Sequence, residues 1–108
     1  MTMTLSTQAL QRLTRFYNAG FRAPLVDTTL PKVLEQQIAR DEADLAQVVA
    51  RLAELEAQYQ LASDVFAARY DAGQMPDDAD YVEWRAYCKM RQRLEERLSI
   101  LRGEDCHA

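Results

Sequence analysis

The stretch IARDEADLAQVVARLAELEAQYQLASDVF, residues 38–66, decides the fold. An apolar or aromatic residue returns in it every seventh position, at Ile38, Leu45, Leu52, Tyr59 and Phe66. A second register, Leu34, Val48, Leu55 and Ala62, fills the complementary seam, with Asp41 its one polar break. A heptad sustained for about four repeats predicts a long helix packed along one edge, and the intervening Glu, Asp, Arg and Gln residues suit a solvated outer face. Ala39, Ala43, Ala46, Ala50, Ala53 and Ala57 add high intrinsic helix propensity.

Upstream, the helix is expected to begin after Thr29, with Pro31 in its first turn, where a missing N–H costs least. From Lys32 to Tyr59 it would span roughly 42 Å. Downstream, no Gly or Pro forces a break, and a continuous helix would end at Gly73; Ser63-Asp64 offers a new N-cap and favours instead a bend near residue 61, with a short helix of about ten residues from Asp64. Asp77, Asp78 and Asp80 then open the last helix, Asp80 and Glu83 standing at capping-box spacing. That helix runs to Arg102, stops at Gly103, and carries Trp84, Tyr87, Met90, Leu94, Leu98 and Leu101 on one stripe. Its first half is more broadly apolar, so Val65, Phe66 and Tyr70 are expected to pack on Tyr81 and Trp84.

At the N-terminus, Leu10, Leu13, Phe16 and Tyr17 fall at helical spacing between Ser6, a candidate cap, and Gly20, a stop; a helix over Leu5–Asn18 follows. Residues 20–31, with Gly20, Pro24, Thr28, Thr29 and Pro31, read as a linker docked through Phe21, Leu25 and Val26. The segment either completes the core or forms an arm that wraps a partner. The expected architecture is all-α: residues 1–31 a short helix and linker, residues 32–108 an antiparallel, coiled-coil-like helical hairpin. A lone hairpin buries only one seam, which argues for a homodimer or a bound partner. Ile38, Leu45, Leu52, Leu55, Leu94 and Leu98 are the candidate self-association residues.

The chain of 108 residues has 48% hydrophobic and 28% charged side chains and a net charge of −4, within the range of ordinary folded domains. Residues 1–31 hold Arg12, Arg15 and Arg22 against Asp27, a balance of +2; the rest, ten basic against sixteen acidic, stands at −6. So acidic a body argues against direct nucleic-acid binding and for a basic protein partner. The apolar runs are far too short for a bilayer, and Met1–Leu13 lacks the layout of a signal peptide, so a cytoplasmic protein with reduced Cys88 and Cys106 is expected.

Catalytic schemes find little to build on. His107 is the only histidine, Cys106-His107 gives two metal ligands where a site needs more, and neither a Gly-rich phosphate loop nor a Ser-centred elbow is present. Asp77, Asp78 and Asp80 are explained by helix capping, without the Gly and distal Glu of a calcium loop. Asp41 with Asp44, and Asp77 with Asp80, echo the paired acids of all-helical nucleotide pyrophosphatases, but the supporting glutamates and lysines are missing. A non-enzyme without cofactor or metal is expected. Phe16, Tyr17, Phe21 and Arg22, together with Tyr81 and Trp84, have the composition of interface hot spots and are the candidate partner-binding residues.

Residues from Leu55 to Arg102 resemble a group of small helical bacterial and archaeal proteins. Its members place a Tyr before a short capped helix containing a Phe, then a Gly, an acidic loop, and an aromatic-x-Glu-Trp-x-Ala-x-x-x-Met helix start. Here these stand as Tyr59, Phe66, Gly73, Asp77-Asp78-Ala79-Asp80, and Tyr81-Val82-Glu83-Trp84-Arg85-Ala86-Tyr87-Cys88-Lys89-Met90. Where the group commonly has Gly after the Tyr, this chain has Gln60. Such proteins are typically encoded beside toxin-like genes, so the resemblance implies an antitoxin that neutralises a basic toxin by direct binding. The other expectations are a structural coiled-coil adaptor and, on the acidic pairs, a metal-dependent phosphohydrolase.

Overall fold

The computed structural model describes residues 4–104, which leaves Cys106 and His107 outside the described residues. Four helices follow one another: α1 (Leu5–Asn18), α2 (Pro24–Tyr59), α3 (Ser63–Asp71) and α4 (Ala79–Leu101), with no strand among the described residues. The all-helical hairpin expected from the heptads is what forms. The chain divides into two compact units, Met1–Val33 and Leu34–Ala108.

In the first unit, Thr4 caps α1, its hydroxyl accepting from the Thr7 backbone N–H at 3.1 Å; Ser6, the expected cap, lies inside the first turn. The expected linker over residues 20–31 shrinks to the few residues after α1, because α2 starts at Pro24 and carries Pro31 in its interior. Pro24 has no N–H to lose at a helix start. Pro31 deprives the Asp27 carbonyl of its helical donor, but both residues are exposed and water can take that place. Start of α2 is fixed by a group from outside it. The Tyr17 hydroxyl donates to Asp27 Oδ1 at 2.6 Å and accepts from the Ala23 N–H at 3.3 Å.

In the second unit, α2 and α4 pack together. Arg51 pairs with Glu83, Asp41 with Arg97 and Glu42 with Arg102, so partners rise along one helix as they fall along the other: the two are antiparallel. The bend comes where it was expected, although no glycine makes it. Gln60 takes the left-handed position itself, at φ 52°, and the Leu61 N–H reaches back to the Glu56 carbonyl at 3.3 Å. A side chain with a Cβ is strained there, so Gln60→Gly is expected to stabilise by about 0.5–1 kcal/mol and raise Tm by a few degrees, measured by circular dichroism.

Helix α3 begins at Ser63, one residue before the expected Asp64, and its N-cap position, Ala62, has no side chain to offer. Glu56, in the last turn of α2, caps it instead, accepting from the Ser63 N–H at 2.9 Å. At α4 the cap is Asp78, which accepts from the Asp80 N–H at 2.8 Å, while Glu83 turns to Arg51 rather than closing a capping box.

The core consists of Val48, Leu52 and Leu55 from α2, Phe66 from α3, and Trp84 and Cys88 from α4, with Tyr59, Leu61, Tyr70, Met75, Tyr81, Tyr87 and Leu94 packed against it. Phe66 and Trp84 are fully buried and stacked, ring centroids 3.9 Å apart and planes 4° from parallel. Tyr81 lies 5.7 Å from Phe66, so α3 packs on the broad apolar start of α4 as its sequence required; Val65 faces solvent. Asp71 receives the two-pronged Arg85 guanidinium at 2.8 and 2.7 Å, holding the end of α3 to α4.

Candidate partner-binding surfaces

Trp84 was a candidate for partner contact, and the structure places it elsewhere: it is 0% exposed. Its indole N–H donates to Ser63 Oγ at 2.9 Å, and hydrogen bonds from the Ser63 hydroxyl and backbone N–H hold the Glu56 carboxyl below the usual carboxylate range. Trp84, Ser63 and Glu56 thus form one polar chain that ties together the three helices of the second unit. Tyr81 is half-buried against Tyr59 at 5.2 Å between ring centroids. Both aromatics serve the core.

The residues expected to mediate self-association lie along the interface within one chain. Leu52, Leu55 and Leu98 are buried, and Ile38, Leu45 and Leu94 are half-buried. One folded chain already covers most of the surface that a partner copy was expected to cover. Its polar break is satisfied too. Asp41, 2% exposed, accepts from Arg97 at 2.7 and 3.1 Å and from Gln37 Nε2 at 2.8 Å, and the Arg97 guanidinium holds its carboxyl below the usual range.

The N-terminal candidates do come together at a surface. Phe16 stacks on Phe21 with centroids 5.3 Å apart, and Tyr17 meets Phe16 edge-on at 5.8 Å. Phe16 is 37% and Phe21 59% exposed, Arg22 is exposed, and no residue of α1 is buried. Between α1 and the start of α2 lies an apolar cleft of about 410 Å³, lined by Leu10, Leu13, Val26 and Leu30. Tyr17 is the exception, committed to Asp27, which raises its pKa.

Comparison with family models, curated proteins and solved structures finds no match to this chain.

The acidic pairs have structural employment. Asp78 caps α4, Asp80 Oδ2 accepts the Tyr59 hydroxyl and Asp41 is locked to Arg97; no group of three or more metal-ligating side chains forms among the described residues. Cys88 is buried, which pushes its thiol pKa up and away from the reactive thiolate. No helix among the described residues is long and apolar enough to cross a membrane.

Tyr59 supplies a readout of the aromatic cluster. Its hydrogen bond to Asp80, together with burial, pushes its pKa up to about 12. The folded state therefore holds the phenolic proton more tightly than the unfolded chain, and that stabilisation is whole below pH 10 and lost as pH rises towards 12. Tyr59 is expected to ionise late in an absorbance titration, as is Tyr17, and Tyr59→Phe to shrink that late step and flatten the alkaline loss of stability. At the acid end the sign reverses. Asp41, Glu56 and Asp71 have depressed pKa values, so their stabilisation is present above the ordinary carboxylate range and disappears as pH falls below about 4.

Proposed function

We propose that this chain is a non-catalytic helical interaction protein, antitoxin-like in role, that acts in the cytoplasm and neutralises a basic protein by covering it. The observation that carries this reading lies in the first unit: α1 has no buried residue, its Phe16 stacks with Phe21 as an exposed pair, and a separate apolar cleft lined by Leu10, Leu13, Val26 and Leu30 opens between α1 and the start of α2. Exposed, rigid aromatics suit hot-spot contacts, since they bury much area at small entropic cost. The acidic body, −6 over residues 32–108, supports the sign of the partner, because it steers a basic protein towards the chain, while contact at the +2 leading segment rests on the aromatic rings and not on charge.

The test is growth rescue by co-expression with small basic proteins encoded beside this gene, paired with binding measured by calorimetry. Rescue and binding are expected with one of them, and the Phe16→Ala/Phe21→Ala variant is expected to lose both while keeping its Tm. No rescue and no binding, or an undiminished Phe16→Ala/Phe21→Ala variant, would sink the reading. Limited proteolysis adds a second check: residues 5–22 are expected to be cut in the free chain and protected when the basic protein is bound.

A further inference from the structure

Within the second unit, α3 covers only one end of the hairpin. Beyond it, α2 and α4 enclose an open groove of about 750 Å³. The Asp41–Arg97 ion pair between these helices is part of its lining. Beside it the surface presents Tyr87, Met90 and Leu94 from α4, with Met90 46% exposed and the other two half-buried. Arg40 lines the groove from α2 and Arg93 from α4, and among the described residues neither pairs with a carboxylate.

Asp41 is cancelled by Arg97, so the free charges are two guanidiniums and Asp44. In a chain of net charge −4 this is a local cationic surplus beside an apolar strip. The same groove on a second copy cannot satisfy it, because each brings two free arginines and one free carboxylate. We propose that this groove docks an amphipathic helix of another protein, apolar at three- and four-residue spacing and bearing carboxylates on both flanks. Its apolar face lies on Tyr87, Met90 and Leu94, and its carboxylates reach Arg40 on one wall and Arg93 on the other. A flexible methionine in the floor lets the groove adapt to the helix it receives. This surface is distinct from the Phe16–Phe21 patch and opposite in sign to the basic partner proposed above.

The experiment uses the full chain and two fluorescently labelled helical peptides of about 18 residues. Both carry leucines at the same spacing; one is flanked by glutamates, the other by lysines. The glutamate peptide is expected to bind about tenfold or more tightly than the lysine peptide, in anisotropy titrations at low salt. Arg40→Gln/Arg93→Gln is expected to erase the preference and Arg40→Glu/Arg93→Glu to reverse it, while Phe16→Ala/Phe21→Ala changes neither. Circular dichroism on each variant confirms folding; the neutral pair keeps the test decisive if charge reversal unfolds the chain. Equal affinity for the two peptides, no saturable binding, or an unaltered preference in the neutral pair overturns the proposal. So does light scattering that shows a dimer dissolved by the neutral pair, which assigns the groove to a second copy.

Discussion

Replacing Phe66 by Ala is expected to cost about 3–5 kcal/mol and to lower Tm by roughly 15 °C or more, among the largest effects of any single truncation at the described residues. Phe66 has no exposed surface and is the only fully buried apolar side chain that α3 sends into the core. It lies flat against Trp84 and within 6 Å of Tyr70 and Tyr81, ring centre to ring centre, so the cavity opens among rings that cannot collapse into it. Against a total stability of about 5–15 kcal/mol, that is a large fraction. Trp84 is the sole tryptophan, and its fluorescence reports the loss directly: emission should shift red as the stack opens in a denaturant titration. By contrast, Val65→Ala, one position away but 43% exposed, is expected to stay within about 0.5 kcal/mol of the parent. Equal effects at the two positions would mean that α3 is not seated as described.

The second large effect is asymmetric across one ion pair. Arg97→Ala is expected to lower Tm by about 5–10 °C, whereas Asp41→Leu is expected to leave it nearly unchanged or raise it. The side chain of Arg97 is 53% exposed and that of Asp41 only 2%. Without Asp41 the guanidinium can turn into water and a leucine continues the heptad seam; without Arg97 a carboxylate is stranded in the interface with Gln37 as its one remaining partner. pH distinguishes this cause from simple loss of packing. Burial alone raises the Asp41 pKa, so the Arg97→Ala variant should recover relative to the parent as pH falls from neutrality, while the parent loses its own Asp41 contribution only at lower pH. Thermal melts of the three proteins at several pH values measure both effects.

The hairpin was legible because seven-residue spacing, at Leu45, Leu52 and Tyr59 above all, reports which edge of a helix is covered. Phe66 and Trp84 meeting across α3 and α4 followed from the excess apolar width at the start of α4. The same periodicity is silent on what covers the edge. It led to a second copy for Leu52, Leu55 and Leu98, which one chain buries itself, and to a partner for Trp84, which belongs to the core. Helix starts were misplaced where the stabilising group comes from another element. Tyr17 fixes the start of α2 and Glu56 that of α3, and no local capping pattern contains either residue. Asp41 was visible as a flaw in the seam, but its match with Arg97 lies 56 positions away, beyond the reach of spacing. The groove with Arg40 and Arg93 escaped notice for a related reason: free arginines are ordinary until the structure shows which ones lack a carboxylate.

Because the aromatic cluster gathers where α3 overlies the hairpin, the backbone should not open everywhere with equal ease. Amide protons around Leu52, Phe66 and Cys88 are held by the densest packing and should exchange with deuterium only when the entire unit comes apart. Those near Ile38 and Leu101, each half-buried and distant in sequence from the cluster, should exchange through fraying that leaves the rest intact. The rods thus form a clasp, shut at one end and able to breathe at the other.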